Sequence, residues 1–103
     1  MNKKELEQYI NNNSRTIEIF SEKALKYQDM KNKNRPKAKR WDEVKISHAV
    51  DGMINTFMEN VHDKIKTQVK RNEFEPQRSW IDFITKNDVL DELEESVIEM
   101  EFE

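Results

Sequence analysis

The chain has 103 residues, of which 35% are hydrophobic and 38% charged, with a net charge of −3 and no cysteine. An average soluble domain is roughly 45–50% apolar and about 25% charged, so the core here is small and its apolar residues must line up on narrow stripes or be completed by a partner chain. The absence of cysteine excludes a disulfide framework, thiolate zinc sites and cysteine nucleophiles, and no apolar run approaches the roughly 18–20 residues that span a bilayer.

One domain over residues 1–103 is expected from this length. A single Gly and two Pro leave little material for tight hairpins, and period-2 alternation is nearly absent, so the fold class is all-α. In the first segment Leu6, Ile10, Ile17, Phe20, Ala24 and Tyr27 recur at helical 4-and-3 spacing, with Asn13 in the vacant step. The stripe predicts one long helix over residues 3–31. Its competitor is a break at Asn11-Asn12-Asn13-Ser14, with Asn13 or Ser14 as a cap. If the stripe is continuous, Asn13 is a polar residue on an apolar seam, a type that fixes register or oligomer state.

Residues 31–40 carry six positive charges and no acid (Lys31, Lys33, Arg35, Lys37, Lys39, Arg40). Pro36 lacks an amide hydrogen and disfavours helix at Arg35, so this segment reads as a connecting loop. A second long helix is predicted from about Trp41-Asp42 to Arg71. Its apolar face, Ile46, Val50, Met53, Ile54, Phe57, Met58, Val61, Ile65 and Val69, covers nearly half the circumference. Pro76 ends that run, with residues 73–77 as a turn.

Two short helices complete the chain. One lies around Arg78–Lys86 with Trp80, Ile81, Phe83 and Ile84, Trp80 and Phe83 packing across the second helix. The other is capped by Asn87 or Asp88 and shows Leu90, Leu93 and Val97 on one side. Helix is slightly favoured over extended chain for Val97–Phe102. The architecture so predicted is an antiparallel hairpin of two long helices with two short C-terminal helices on its wide face. Because the first helix is too narrow to cover that face, two chains are expected to pair into a dimeric four-helix bundle through Asn13, Ile54, Phe57, Met58, Val61 and Ile65.

Charge is segregated. Residues 31–40 hold +6 and residues 88–103 hold −8, whereas residues 1–30 and 41–71 are each balanced at five of either sign. Half of the weight of this pattern goes to plain solvated surface. The remainder divides between docking of the acidic segment on the basic loop and recognition of partners. Asp91, Glu92, Glu94, Glu95 and Glu99 would then meet a basic protein surface. Lys33, Arg35, Lys37, Lys39 and Arg40, next to Trp41, would supply the backbone neutralisation and ring stacking that a nucleotide or nucleic acid needs.

Catalytic chemistry finds little support. Glu59 and His62 have the i, i+3 spacing of helical di-metal carboxylate sites, but no second pair accompanies them. Glycine-rich phosphate loops and nucleophile elbows are absent, so no metal, cofactor or enzyme activity is expected. The layout from Ile84 into the last helix faintly resembles a helix-turn-helix, yet the second helix is acidic and phosphates would repel it. Lys outnumbers Arg 13 to 5, in keeping with AT-rich coding. The expectation is a cytoplasmic, non-membrane, non-enzymatic regulator or inhibitor of phage or mobile-element type acting on a protein partner, with nucleotide or nucleic-acid binding through the basic loop as the alternative.

Overall fold

The computed structural model describes residues 1–69 and 75–102, and among these every regular element is helical. Five α-helices follow in order: α1 (Lys3–Asn13), α2 (Thr16–Lys33), α3 (Glu43–Gln68), α4 (Pro76–Lys86) and α5 (Val89–Glu99), with a short 3₁₀ turn at Lys37–Lys39. The Cα radius of gyration is 16.2 Å and the principal extents are 56 × 23 × 21 Å. About 13 Å is usual for a compact domain of this length, so the molecule is a rod.

The first stripe is interrupted. Asn2 and Glu5 form a reciprocal capping box that starts α1: the Asn2 side chain accepts from the Glu5 amide at 2.8 Å, and Glu5 Oε1 accepts from the Asn2 amide at 3.0 Å. Helix α1 ends at Ser14, whose backbone is extended. Ser14 Oγ accepts from the Thr16 amide at 3.1 Å and contacts Thr16 Oγ1 at 2.6 Å, which opens α2. The expectation of one helix over residues 3–31 is therefore corrected. A straight helix would separate residues 3 and 20 by about 25 Å at 1.5 Å per residue. Instead Lys3 bonds Asn55 and lies 3.4 Å from Glu59, while Phe20 stacks on Phe57 at 4.5 Å. Both meet the same two turns of α3, so the chain folds back at Ser14.

Helix α2 runs against α3 in the opposite direction. Asn32 meets Trp41 at one end, and Phe20 meets Phe57 further along. Helix α3 begins where Asp42 accepts from the Lys45 amide at 2.9 Å. The predicted end of this helix at Arg71 lies outside the described residues. Pro76 opens α4 at its first turn rather than closing α3, because its missing N–H is one that a helix start leaves unbonded anyway. Asp88 joins α4 to α5 in the left-handed conformation (φ 51°, ψ 38°). Helix α5 stops at Glu99, and Met100 is extended. The Lys23 ammonium caps that end by donating to the carbonyls of Ile98 and Met100, the latter at 2.9 Å.

Two apolar clusters form the core. Leu6 and Ile10 of α1, Met58, Val61 and Ile65 of α3, and Trp80 and Ile84 of α4 make the first. Phe20 and Ala24 of α2, Val50 of α3 and Val97 of α5 make the second. Ile54 and Phe57 touch both clusters. The wide face of α3 is thus shared among four helices of its own chain. Met58, Val61 and Ile65, expected at a contact between chains, are buried within one, while Ile54 and Phe57 stay partly exposed. Asn13 is exposed, and its side-chain amide donates to the Tyr9 carbonyl at 2.8 Å, as a residue at a helix end does.

Candidate functional site

The helices pack as α2 on α3, α2 on α5, α1 on α2 and α3, and α4 on α5. Helices α3 and α5 are not close-packed. They face each other across a groove. Its α3 wall carries Phe57, Asn60, Val61, Lys64, Ile65 and Gln68, its α5 wall Val89, Glu92, Leu93, Ser96 and Met100, and Phe83 and Asn87 close it on the α4 side. This part encloses about 530 Å³. A second depression of about 490 Å³ continues along Ala49, Gly52, Met53 and Thr56, with Phe20 and Phe102 beside it. The two share Phe57, Asn60 and Met100.

The periodicity of the walls explains this lining. On α3, Met53, Phe57, Val61 and Ile65 repeat every fourth residue, and on α5, Val89, Leu93 and Ser96 follow 4-3 spacing, with Met100 just past the helix end. From Ala49 to Gln68 the groove floor extends about 28 Å at 1.5 Å per residue. That matches roughly five turns of a third helix. Asn60, Gln68, Asn87 and Ser96 supply a polar rim.

The α5 side of the groove is acidic. Glu92, Glu95 and Glu99, with Ser96 and Met100, line a shallow depression of about 410 Å³ on that lip. All three carboxylates are exposed, and none forms a salt bridge among the described residues. Of the other expected acidic contacts, Asp91 is exposed, whereas Glu94 is half-buried and accepts from Ser14 Oγ at 3.4 Å, facing the α1–α2 junction. No salt bridge among the described residues links the acidic segment to the basic loop, so the two poles are not neutralised by each other.

The basic loop is more ordered than a linker. Asn32 clamps Trp41 through its backbone: the Trp41 amide donates to Asn32 Oδ1 at 2.8 Å, and Asn32 Nδ2 donates to the Trp41 carbonyl at 3.0 Å. The Arg35 guanidinium lies 3.9 Å from the centre of the Trp41 ring and the Lys45 ammonium 4.9 Å. Arg40 donates to the carbonyls of Arg35 and Lys33, each at 3.4 Å. Lys39, Arg40, Trp41, Asp42, Lys45 and His48 border an open hollow of about 620 Å³. Lys33 and Lys37 are exposed outside it. Sequence reasoning missed Lys45 and His48, which come from the first two turns of α3 and carry no composition signal of their own.

The Glu59/His62 pair is occupied structurally. His62 stacks on Trp80 at 4.9 Å and its Nε2 lies 2.9 Å from the Met1 carbonyl, while Glu59 accepts from Lys3 and Asn55. Among the described residues no cluster of three or more His, Cys, Asp or Glu is placed to hold a metal ion. No helix among them is long and apolar enough to cross a membrane. Comparison of the chain with protein-family models, curated proteins and solved structures returns no match.

Proposed function

We propose that this protein is a small non-enzymatic binding protein whose α3–α5 groove takes a cationic amphipathic helix of a partner protein. The observation that carries the reading is the pairing of an apolar floor with an acidic lip, Glu92, Glu95 and Glu99, that forms no salt bridge among the described residues. Helix-in-groove recognition needs such a floor, because the ligand helix contributes apolar residues at i, i+3, i+4 and i+7. Carboxylates on the rim supply the complementary half: they accelerate encounter with a basic partner and disfavour an acidic one. Regulation would follow from sequestering that helix.

The test uses an 18-residue helical peptide with leucine at i, i+3, i+4 and i+7 and lysine on its flanks, together with the same peptide carrying glutamate for lysine. Isothermal titration at low salt should give binding of the lysine peptide only. The Glu92→Gln, Glu95→Gln, Glu99→Gln triple variant alters exposed side chains alone and should weaken binding at least tenfold. Raising salt from 50 to 500 mM should do likewise, since the Debye length falls through about 10 Å at 0.1 M. Equal binding of both peptides, or none of either, would sink the proposal. Sedimentation equilibrium at twice the 12.5 kDa chain mass, unaffected by the peptide, would assign the groove to a second copy of the chain instead.

A further inference from the structure

The corner around Trp41, at the end of the rod where α2 passes into α3, is a second binding surface, independent of the groove. We infer that it binds the phosphodiester backbone of nucleic acid without reading its bases. Four cations converge there from different points of the chain: Arg35 from the end of α2, Lys39 and Arg40 from the 3₁₀ turn and its flank, and Lys45 from the first turn of α3. None of them forms a salt bridge among the described residues. The carboxylates nearest in sequence are Asp42 and Glu43, and Asp42 is engaged as the α3 cap by the Lys45 amide at 2.9 Å. Two like charges held 3.9 and 4.9 Å from one indole centre repel each other, and a nearby anion relieves that repulsion.

The cations are also positioned in advance. Trp41 is fixed by two backbone hydrogen bonds to Asn32, Arg35 donates to the same Asn32 oxygen at 3.2 Å, and Arg40 is tied to two carbonyls. A guanidinium held 3.9 Å over an indole, with one nitrogen bonded to Asn32, keeps further N–H donors for a phosphate's oxygens. The same stack decides against base reading. Arg35 covers the ring on which an unpaired base would have to lie, so the stacking contact typical of single-strand binders is blocked. A membrane surface is disfavoured because the large apolar group beside the cations, Trp41, is half-buried and clamped, which leaves the smaller, exposed Val44 as the wedge for insertion. An acidic protein is disfavoured because protein interfaces have an apolar centre, whereas the centre of this corner is an indole ring overlaid by two cations.

The test is fluorescence anisotropy with a labelled 20-base-pair DNA duplex and the full chain, repeated with a second duplex of unrelated sequence. Four phosphate contacts give a slope of log K against log salt of about −3.6, and non-specific binding of this kind has Kd of roughly 10⁻⁴–10⁻⁶ M near physiological salt. Both duplexes should bind alike, and a single strand of the same length no tighter. Combined Arg35→Gln, Arg40→Gln and Lys45→Gln should lower affinity at least tenfold and bring the slope close to −1. Lys39→Glu, which leaves the Asn32–Trp41–Arg35 arrangement untouched, should weaken binding several-fold with an unchanged melting temperature, so that a folding defect cannot account for the loss. The Glu92/Glu95/Glu99 triple variant should bind duplex no more weakly than the parent, which separates this site from the groove. Duplex affinity unaffected by Lys39→Glu and by the triple cation variant would overturn the inference. So would tenfold tighter binding of the single strand, or binding of phosphatidylserine vesicles without binding of duplex.

Discussion

Replacing Gln28 with Met is expected to stabilise the protein by about 1–2 kcal/mol, because a buried polar group is left short of a partner. Gln28 is only 7% exposed and sits on the α2 row Thr16, Phe20, Ala24, Gln28 that faces the core. Among the described residues its Nε2 reaches only the thioether of Met53 at 3.3 Å, and its Oε1 has no hydrogen-bond partner. A buried acceptor left unpaired costs about 1–3 kcal/mol, and a thioether is a weak acceptor, so turning the amide over would only move the deficit to the NH₂ group. Met has nearly the same length and no polar atom to desolvate beyond a soft sulfur. The lost N–H···S contact offsets part of the gain, which sets the net figure. Urea unfolding followed by circular dichroism should show a higher midpoint at unchanged slope, and the melting temperature should rise by roughly 4–16 °C. Gln28→Ala, which removes the unpaired acceptor but opens a cavity, should gain less or lose stability. A Gln28→Met protein less stable than the parent would show that Oε1 is satisfied, and the deficit argument would fail.

Two further substitutions test particular features of the fold. Asp88→Val should destabilise by about 1–2 kcal/mol in a thermal melt, because a β-branched residue is strained at φ 51°, whereas Asp88→Gly should match or exceed the parent; equal effects of the two would mean that the α4–α5 turn readjusts. Gly52→Ala should raise stability by about 0.5–1 kcal/mol through helix propensity alone, and Gly52→Leu should leave the fold intact but abolish binding of the lysine peptide; retained binding would move the contact surface away from this part of α3.

The legibility of the fold was uneven, and the reasons are local. The wide face of α3 was visible because Ile46 through Ile65 is long, apolar and uninterrupted by glycine at a core position. The start of α4 was nearly placed by Trp80 and Ile84. The first stripe misled because its phase slips by one residue across Ser14. The sequence pattern points to Ile17, but the buried position is Thr16, at 0% exposure, with the row continuing to Gln28. Both ends of that row are polar, so hydrophobic periodicity is blind to them, and a serine that bonds the amide two residues on leaves no apolar trace. The basic loop was recognised by composition, yet its role turned on Asn32, which no charge count would single out. The groove was hidden more deeply. Its α5 wall uses Val89 and Met100 as well as Leu93, a second face beside the Leu90–Leu93–Val97 side that the pattern displays.

The break at Ser14 and the groove are two consequences of one event. Once α1 folds back, it covers the Met58–Ile65 stretch of α3 together with α4, and α2, with Val97 of α5, packs on the remainder. Helix α5 is held by α2, through Lys23 at its end and Phe102 at 5.5 Å from Phe20 and from Tyr27, so it leans on α2 rather than on α3. A helix placed between α3 and α5 would complete a bundle that the chain leaves open. Gly52 sharpens this reading. It stands in the middle of a 26-residue helix, where glycine costs about 1 kcal/mol relative to alanine, and a Cβ built there would have no heavy atom within 4 Å. Nothing among the described residues therefore requires glycine at this position. Gly52 lies on the lining of the lower depression, beside Met53 and Ala49, where a missing side chain lets another helix backbone come close. The cost of Gly52 within the single chain is accounted for if the surface it keeps low is used by a partner.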